Sequence, residues 1–439
     1  MTDKLIPHFQ KRAAVLAAQQ SSPDWLAALR QEGVEQWSST PWPDRKTERW
    51  KYTPLMPLQT ADVARWAETA ADWQDGVEWL DIDATRLVFV DGVFVPEHSS
   101  ELPPEVVRFG SADSAAREVI KKHLGKTVDA DKHLFAALSN AWVADGLLVH
   151  VQAGQQLEKP LYLVHVSTPN AEPASANQRL LVVLERGAQA EVIEHYASGA
   201  QEQNGFVNAL TEAVVGENAQ LHHYRLNLEE ENLLHVGGVH VDLHRSARMR
   251  AFTIAQGSRL KRIDYQVNHV GEGGESDLQG LYLPRNNQLI DYHTELNHMV
   301  PNCTSREVFH GIVGDSAKAV FSGRIYIHPQ AQKTLAELNN KNLLTSNKAD
   351  VNTKPELEIY ADDVKCAHGA TVSQLDFEAM HYLQSRGIPR DEAEVMLSFG
   401  FINELLQEVA QPAVRAYLAP RLAQMFSTSS ELLRHIEYE

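Results

Sequence analysis

The apolar positions change their period twice along the chain. From Leu5 to Gln19 they recur at helical spacing, and Ser22-Pro23-Asp24 ahead of Trp25, Leu26 and Leu29 supplies the polar start and early proline of a second helix. Pro41 to Pro54 is dense in prolines and aromatic rings and reads as an extended segment pinned by those rings. Leu87 to Val90 and Val93 to Val95 flank Asp91-Gly92, a two-residue signature of a tight β-hairpin. Ala115 to Leu124 and Lys132 to Asn140 return to helical spacing, so residues 1–145 are expected to form a mainly helical N-terminal domain.

From about residue 146 to 375 valine-rich alternation takes over. A polar turn followed by a small residue recurs at Ala190, Ala219, Ala247 and Ser276, every 28 or 29 residues, and again at Ala317 after a step of 41. One strand-turn-strand unit per period is the mark of a solenoid, in which no coil can bury its own apolar face and each must stack on the next. The expectation is a right-handed parallel β-helix core over 146–375. A β-sandwich is the alternative, but its turns fall roughly every 8 to 12 residues and need not keep one motif.

After residue 375 helical spacing returns. Leu375 to Ser385 is followed by Gly387, suited to a helix C-cap, and Pro389, suited to the next helix start. Ala393, Met396, Leu397, Phe401, Leu405 and Leu406 continue the stripe. Residues 376–439 thus form a C-terminal helical domain whose hairpin can cap the solenoid or dock a partner.

At 439 residues the chain exceeds one simple core. Its net charge of -18 disfavours a phosphate backbone as a partner, so nucleic acid is not expected. The N-terminus lacks a signal-peptide core, no run of ~18 apolar residues follows, and Cys303 and Cys366 form no CxxC. These features predict a cytoplasmic protein that is neither exported nor membrane-spanning. No P-loop, GxGxxG after a strand, GxSxG or HExxH is present, so enzymatic activity is not expected.

Candidate chemistry concentrates in Asp362-Asp363-Val364-Lys365-Cys366-Ala367-His368-Gly369-Ala370-Thr371-Val372. On a strand, period 2 sets the Cys366 thiol and the His368 imidazole on one face, a donor pair suited to iron or zinc. Two donors do not complete a site, which points to one shared with a bound ligand or another polypeptide. The alternative is a packed cysteine beside a hydrogen-bonded histidine. His240, Asp242 and His244 also alternate on one strand, as outward polar positions of a solenoid do.

Trp50-Lys51-Tyr52-Thr53, Cys366-Ala367-His368-Gly369-Ala370-Thr371 and Tyr382-Leu383-Gln384-Ser385-Arg386-Gly387-Ile388, in this order, resemble the SufB/SufD family of iron-sulfur cluster assembly proteins, the SufD members most. The resemblance spans essentially the whole chain and implies a right-handed β-helix between helical terminal domains. It implies a scaffold that pairs with SufB, binds the ATPase SufC, and is able to form a homodimer when alone. It places iron or a transient iron-sulfur cluster at the SufB-SufD interface, with His368 contributing to that site and Cys366 a nearby candidate. The hairpin after 375 would dock SufC, and a reduced flavin belongs to complexes of the family without being assigned to a subunit. Two other readings compete: a polysaccharide-acting β-helix enzyme of the exported type, and a purely structural subunit with no ligand site.

Overall fold

A computed structural model describes residues 7–67, 73–74, 76–170, 172–199, 203–229 and 232–426. Three short strands come first: β1 (Thr85–Val90), β2 (Val93–Phe94) and β3 (Val106–Arg108). The solenoid proper runs through β4 (Leu147–Val151), β5 (Leu161–Ser167), β6 (Ser175–Leu184), β7 (Gln189–Ser198), β8 (Gly205–Val215), β9 (Gln220–Asn227), β10 (Leu233–Leu243) and β11 (Arg248–Gln256). It continues through β12 (Leu260–His269), β13 (Glu275–Leu283), β14 (Leu289–His298), β15 (Thr304–Val313), β16 (Lys318–Ile327), β17 (Thr334–Leu344), β18 (Asp350–Ile359) and β19 (Val364–Gln374).

The chain alternates between two sheets, ordered β19-β17-β15-β13-β11-β9-β7-β5-β1-β2 and β18-β16-β14-β12-β10-β8-β6-β4-β3. Neighbours from β4 onward are parallel, so the core is a parallel β-solenoid rather than a sandwich of Greek keys. Register along one sheet runs Gln189, Gln220, Arg248, Glu275, Thr304, Leu335, Lys365, which is 27 to 31 residues per coil. Asp91-Gly92 does close a hairpin, with Val90 opposite Val93. Its first strand then pairs in parallel with β5, and β3 pairs antiparallel with β4, so residues before 146 start both sheets.

The repeated small residue sits at a sheet-to-sheet corner. Ala188, Ala219, Ala247, Gly274 and Cys303 stack there, and the carbonyl of each accepts from the next coil at 2.9 to 3.0 Å. Ala188, Ala219, Ala247 and Cys303 are fully buried, and the turn residues Asn218, Ser246 and Asn302 adopt φ of +57, +52 and +61. The first member is therefore Ala188, with Ala190 lying inside β7. The step of 41 is not a longer coil: Gly314 to Ala317 belong to the opposite corner, between β15 and β16, and Cys303 occupies the small-residue slot of the skipped coil. The corner is also where Cys303 finds its role, as a small packed residue whose thiol is pushed up by burial.

Inside, aromatic rings and glycines interlock between coils. A Cβ on Gly280 would lie 2.0 Å from the Phe309 ring, and one on Gly311 2.0 Å from the Tyr282 ring, so each missing side chain is the space the neighbouring ring fills. Helices cover the outer faces. α1 (His8–Gln19), α2 (Ala27–Ser39) and α5 (Leu134–Trp142) bury Phe9, Trp37 and Trp142 against Phe206, Leu210, Leu234 and Val236 of the nine-stranded sheet. Helix α3 (Met56–Thr60) adds Leu58 to the same cluster, and α4 (Ser114–His123) is capped by Asp113, whose side chain accepts from the Ala116 N–H.

The stretch 41–54 is less extended than expected, because Glu48–Trp50 closes a single 3-10 turn, while Trp42 and Trp50 pin it against Phe135. At the other end come α6 (Phe377–Ser385), α7 (Arg390–Gln407) and α8 (Pro412–Phe426). α7 and α8 bury Phe399, Ile402, Leu405, Leu418 and Leu422 on Leu226, Ile254 and Leu281, the outer face of the ten-stranded sheet. The C-terminal helices thus lie along the side of the solenoid, and among the described residues nothing caps its last coil.

Candidate functional site

That last coil consists of β18 and β19, each the terminal strand of its sheet. Cys366 stands in register with Ala336 and His368 with Leu338, both buried residues of the interior cluster. Cys366 and His368 therefore share the inward-facing side of β19, as period 2 predicts. No further coil covers them among the described residues: His368 is exposed and Cys366 half-buried. Val351, Leu357 and Val364 of the same coil pack on the interior cluster, while Ile359 and Val372 remain 41% and 48% exposed. The solenoid ends in an apolar cross-section with two free strand edges, surface that a soluble chain normally covers.

Cys366 packs against this cluster, and burial pushes its thiol up, with a backbone contact to Ala336 opposing the shift. Thiol rather than thiolate is the resting form, so ligation by sulfur requires a metal or a neighbouring positive charge to displace the proton. Among the described residues no group of three His, Cys, Asp or Glu side chains converges as a metal site. Cys366 and His368 by themselves therefore do not make up a metal site in this chain.

Below His368 runs a single inward column, Leu278, Glu307, Leu338, His368, one residue per coil. Two coil spacings set Glu307 roughly 10 Å from His368. Glu307 is fully buried with neither carboxyl oxygen in a well-formed hydrogen bond, and burial pushes it up to about 8, against a smaller lowering influence from Thr294.

Deeper in the interior lies a charged cluster that the sequence pattern did not reveal. Glu194 accepts from Thr211 Oγ1 at 2.8 Å and from Tyr196 Oη at 2.7 Å, and meets His223 Nε2 at 2.8 Å. Arg225 lies 3.4 Å from Glu194 and stacks over the Tyr196 ring. Lys261 Nζ donates to Glu229 at 2.6 Å, and Glu229 also meets His235 Nδ1 at 2.5 Å. Burial works to raise Glu194 and Glu229, but Arg225, His223 and Tyr196 together for the first, and Lys261 and His235 together for the second, outweigh it and hold both carboxylates well below their ordinary range. The cluster is closed and mutually satisfied, which suits fixing register more than handling a ligand. Charged residues at inward strand positions, once register is known, are the signal that finds it.

His240, Asp242 and His244 do not come together as a ligand set. His240 stacks edge-on against His133 at 4.7 Å beneath the N-terminal helices, Asp242 accepts from Asn268 Nδ2 at 2.8 Å, and His244 lies beyond the end of β10.

The hairpin residues divide. On α7, Ala393, Leu405 and Leu406 are buried, and Arg306 to Glu408 at 2.9 Å together with His310 Nδ1 to the Phe401 carbonyl at 3.0 Å fasten the helix to the sheet. Phe377 and Tyr382 on α6 and Met396 on α7 stay 82%, 57% and 42% exposed, large apolar side chains presented to solvent.

Two family models match the chain: SufBD protein N-terminal region over residues 1–163, and SUF system FeS cluster assembly, SufBD core domain, over residues 166–401. The iron-sulfur cluster assembly protein SufD of Escherichia coli K12 is 33% identical over 396 residues, covering 90% of this chain and 92% of that protein. An iron-sulfur cluster assembly SufBD family protein of Synechocystis is 30% identical over 431 residues, 95% of this chain and 94% of the relative. The SufD protein of Bacillus subtilis is 29% identical over 413 residues, 90% and 93% of the two chains. With a parallel solenoid, helical flanks and matches over nearly its whole length, the chain belongs to the SufBD family of iron-sulfur cluster assembly proteins.

Proposed function

We propose that the chain is a scaffold subunit of a SUF complex that works at the open end of its solenoid. The last coil pairs with a SufB partner, whose own chain supplies the missing coil and the missing ligands. Iron or a nascent cluster, as cargo rather than resident cofactor, is handled at the joint by His368, with Cys366 beside it. An imidazole can bind iron or relay a proton, two tasks that meet where iron and sulfide combine. The exposed α6–α7 face docks the ATPase SufC, which supplies the nucleotide chemistry for which this sequence carries no motif.

The observation that carries the reading is the uncapped last coil, with free β18 and β19 edges and the two donors on its inward side. Ile359→Lys with Val372→Lys tests it, because both side chains are already exposed in the isolated chain. Normal folding with loss of SufB pairing is expected. Unchanged pairing would move the interface elsewhere, and the same variant reports whether a homodimer uses this edge.

A further inference from the structure

The Trp50-Lys51-Tyr52-Thr53 segment is bolted to the solenoid at both ends. The Arg262 guanidinium lies 3.9 Å from the buried Trp50 ring and donates to the Arg49 carbonyl at 2.5 Å and to Asp291 at 2.9 Å. Thr53 Oγ1 donates to the same Asp291. Between these anchors Lys51 and Tyr52 are held out of the core, Tyr52 42% exposed with Lys51 Nζ 5.0 Å from its ring. Neither side chain is needed to hold the segment.

They face a cleft of about 720 Å³ between this segment and the outer face of β14, β16 and β18. That is the size of a small-ligand site. Six Arg and Lys residues and four Glu line it, an excess of positive charge on a chain of net charge -18. All four glutamates are engaged: Glu48 and Glu356 by Lys354 at 2.7 and 2.8 Å, Glu295 by Arg49 at 3.1 Å, and Glu358 by Arg324 at 2.8 Å. Arg45, Lys46 and Lys51, all exposed and all on the segment-side lip of the cleft, form no ion pair within 4 Å among the described residues, although the Lys51 charge also acts on Glu48, which Lys354 already holds. The glutamate-lined far wall disfavours a long acidic peptide across the cleft, whereas a compact anion can sit on the lip alone.

We propose that this cleft binds a small ligand carrying two or more phosphate charges, held by Arg45, Lys46 and Lys51 beside Tyr52. Unpaired guanidinium and ammonium groups match phosphate oxygens through charge-assisted hydrogen bonds, and an exposed ring can stack a planar base. Inorganic pyrophosphate and a nucleoside diphosphate share this chemistry. The test is calorimetric titration of the full chain with pyrophosphate and with ADP, for the wild type, Arg45→Ala/Lys46→Ala/Lys51→Ala, and Tyr52→Ala. Saturable binding that weakens tenfold or more in the triple variant, at unchanged melting temperature, is expected. If Tyr52→Ala weakens ADP but not pyrophosphate, the ligand is of the nucleotide type; if both are equally unaffected, the phosphates alone are recognised. No binding of either anion at millimolar concentration, or binding that the triple variant retains, would overturn the proposal.

Discussion

Replacing Glu307 by Gln should remove a loss of stability that the wild type suffers between pH 5 and pH 8.5, so that the variant gains on the wild type as pH rises. The side chain is fully buried in the column beneath His368, with no well-formed hydrogen bond to either oxygen, and burial raises it from an ordinary value near 4.5 to about 8. The folded state therefore holds a proton that the unfolded chain releases between those two values. Stability attributable to this group is intact below about pH 4.5, falls as pH rises, and is fully lost above about pH 8. At about 1.4 kcal/mol per tenfold change, the interval is worth roughly 5 kcal/mol, and local relaxation and water entry bring the expected effect to about 2 to 4 kcal/mol.

Glutamine has the same length and cannot ionise, so it removes the pH-dependent part alone. Its own buried amide costs about 1 to 3 kcal/mol at every pH, which makes the change between two pH values the diagnostic quantity. Urea unfolding of both proteins at pH 5 and 8.5 measures it, and other titrating groups cancel because both chains share them. The Gln variant should gain about 2 to 4 kcal/mol on the wild type between the two conditions. A gap of the same size at both pH values would refute the assignment of Glu307 as a buried, protonated acid.

Two further outcomes follow from the exposed and half-buried groups. Phe377→Ala with Tyr382→Ala should leave the melting temperature unchanged and weaken SufC binding by about tenfold or more in a titration; retained affinity would place the docking surface off α6. Cys366→Ser should cost about 1 kcal/mol by setting a hydroxyl against the apolar cluster, and should reduce cluster formation less than loss of His368 does; a complete loss of cluster with normal folding would make the thiol an obligatory ligand.

Much of the fold was legible because it is periodic. One coil per 27 to 31 residues forces the same corner chemistry to recur, and Asn218, Ser246 and their small neighbours carried it into the sequence. The repeat misled where two corners look alike, since Asp315 to Ala317 turns from the ten-stranded sheet and Asn218-Ala219 turns into it. The pairing of β1 with β5 joins Thr85 to Leu161, a contact that no local pattern encodes. Interior charges were hidden for a related reason: Glu194 or Arg225 reads as an outward residue until register fixes which face is inside.

For the candidate site, the local step was sound, because Cys366 and His368 do share a face. Which face it was, and that it lies at the free end, depended on β17 and on the helices packing along the side rather than over the last coil. The Cys-x-His spacing thus showed that the two side chains share a face, while the openness of their surroundings is a property of the whole solenoid.

The central claim is that His368 acts on the cargo at the joint with SufB. His368→Ala tests it most directly, in the complex co-purified anaerobically with the SufB and SufC partners, with iron and acid-labile sulfide assayed per complex alongside pairing and thermal stability. The imidazole is exposed in the isolated chain, so its removal opens no cavity there and should leave folding near wild type. The account predicts normal pairing and stability with collapse of cluster formation; iron and sulfide retained at the wild-type ratio in an intact complex would contradict it.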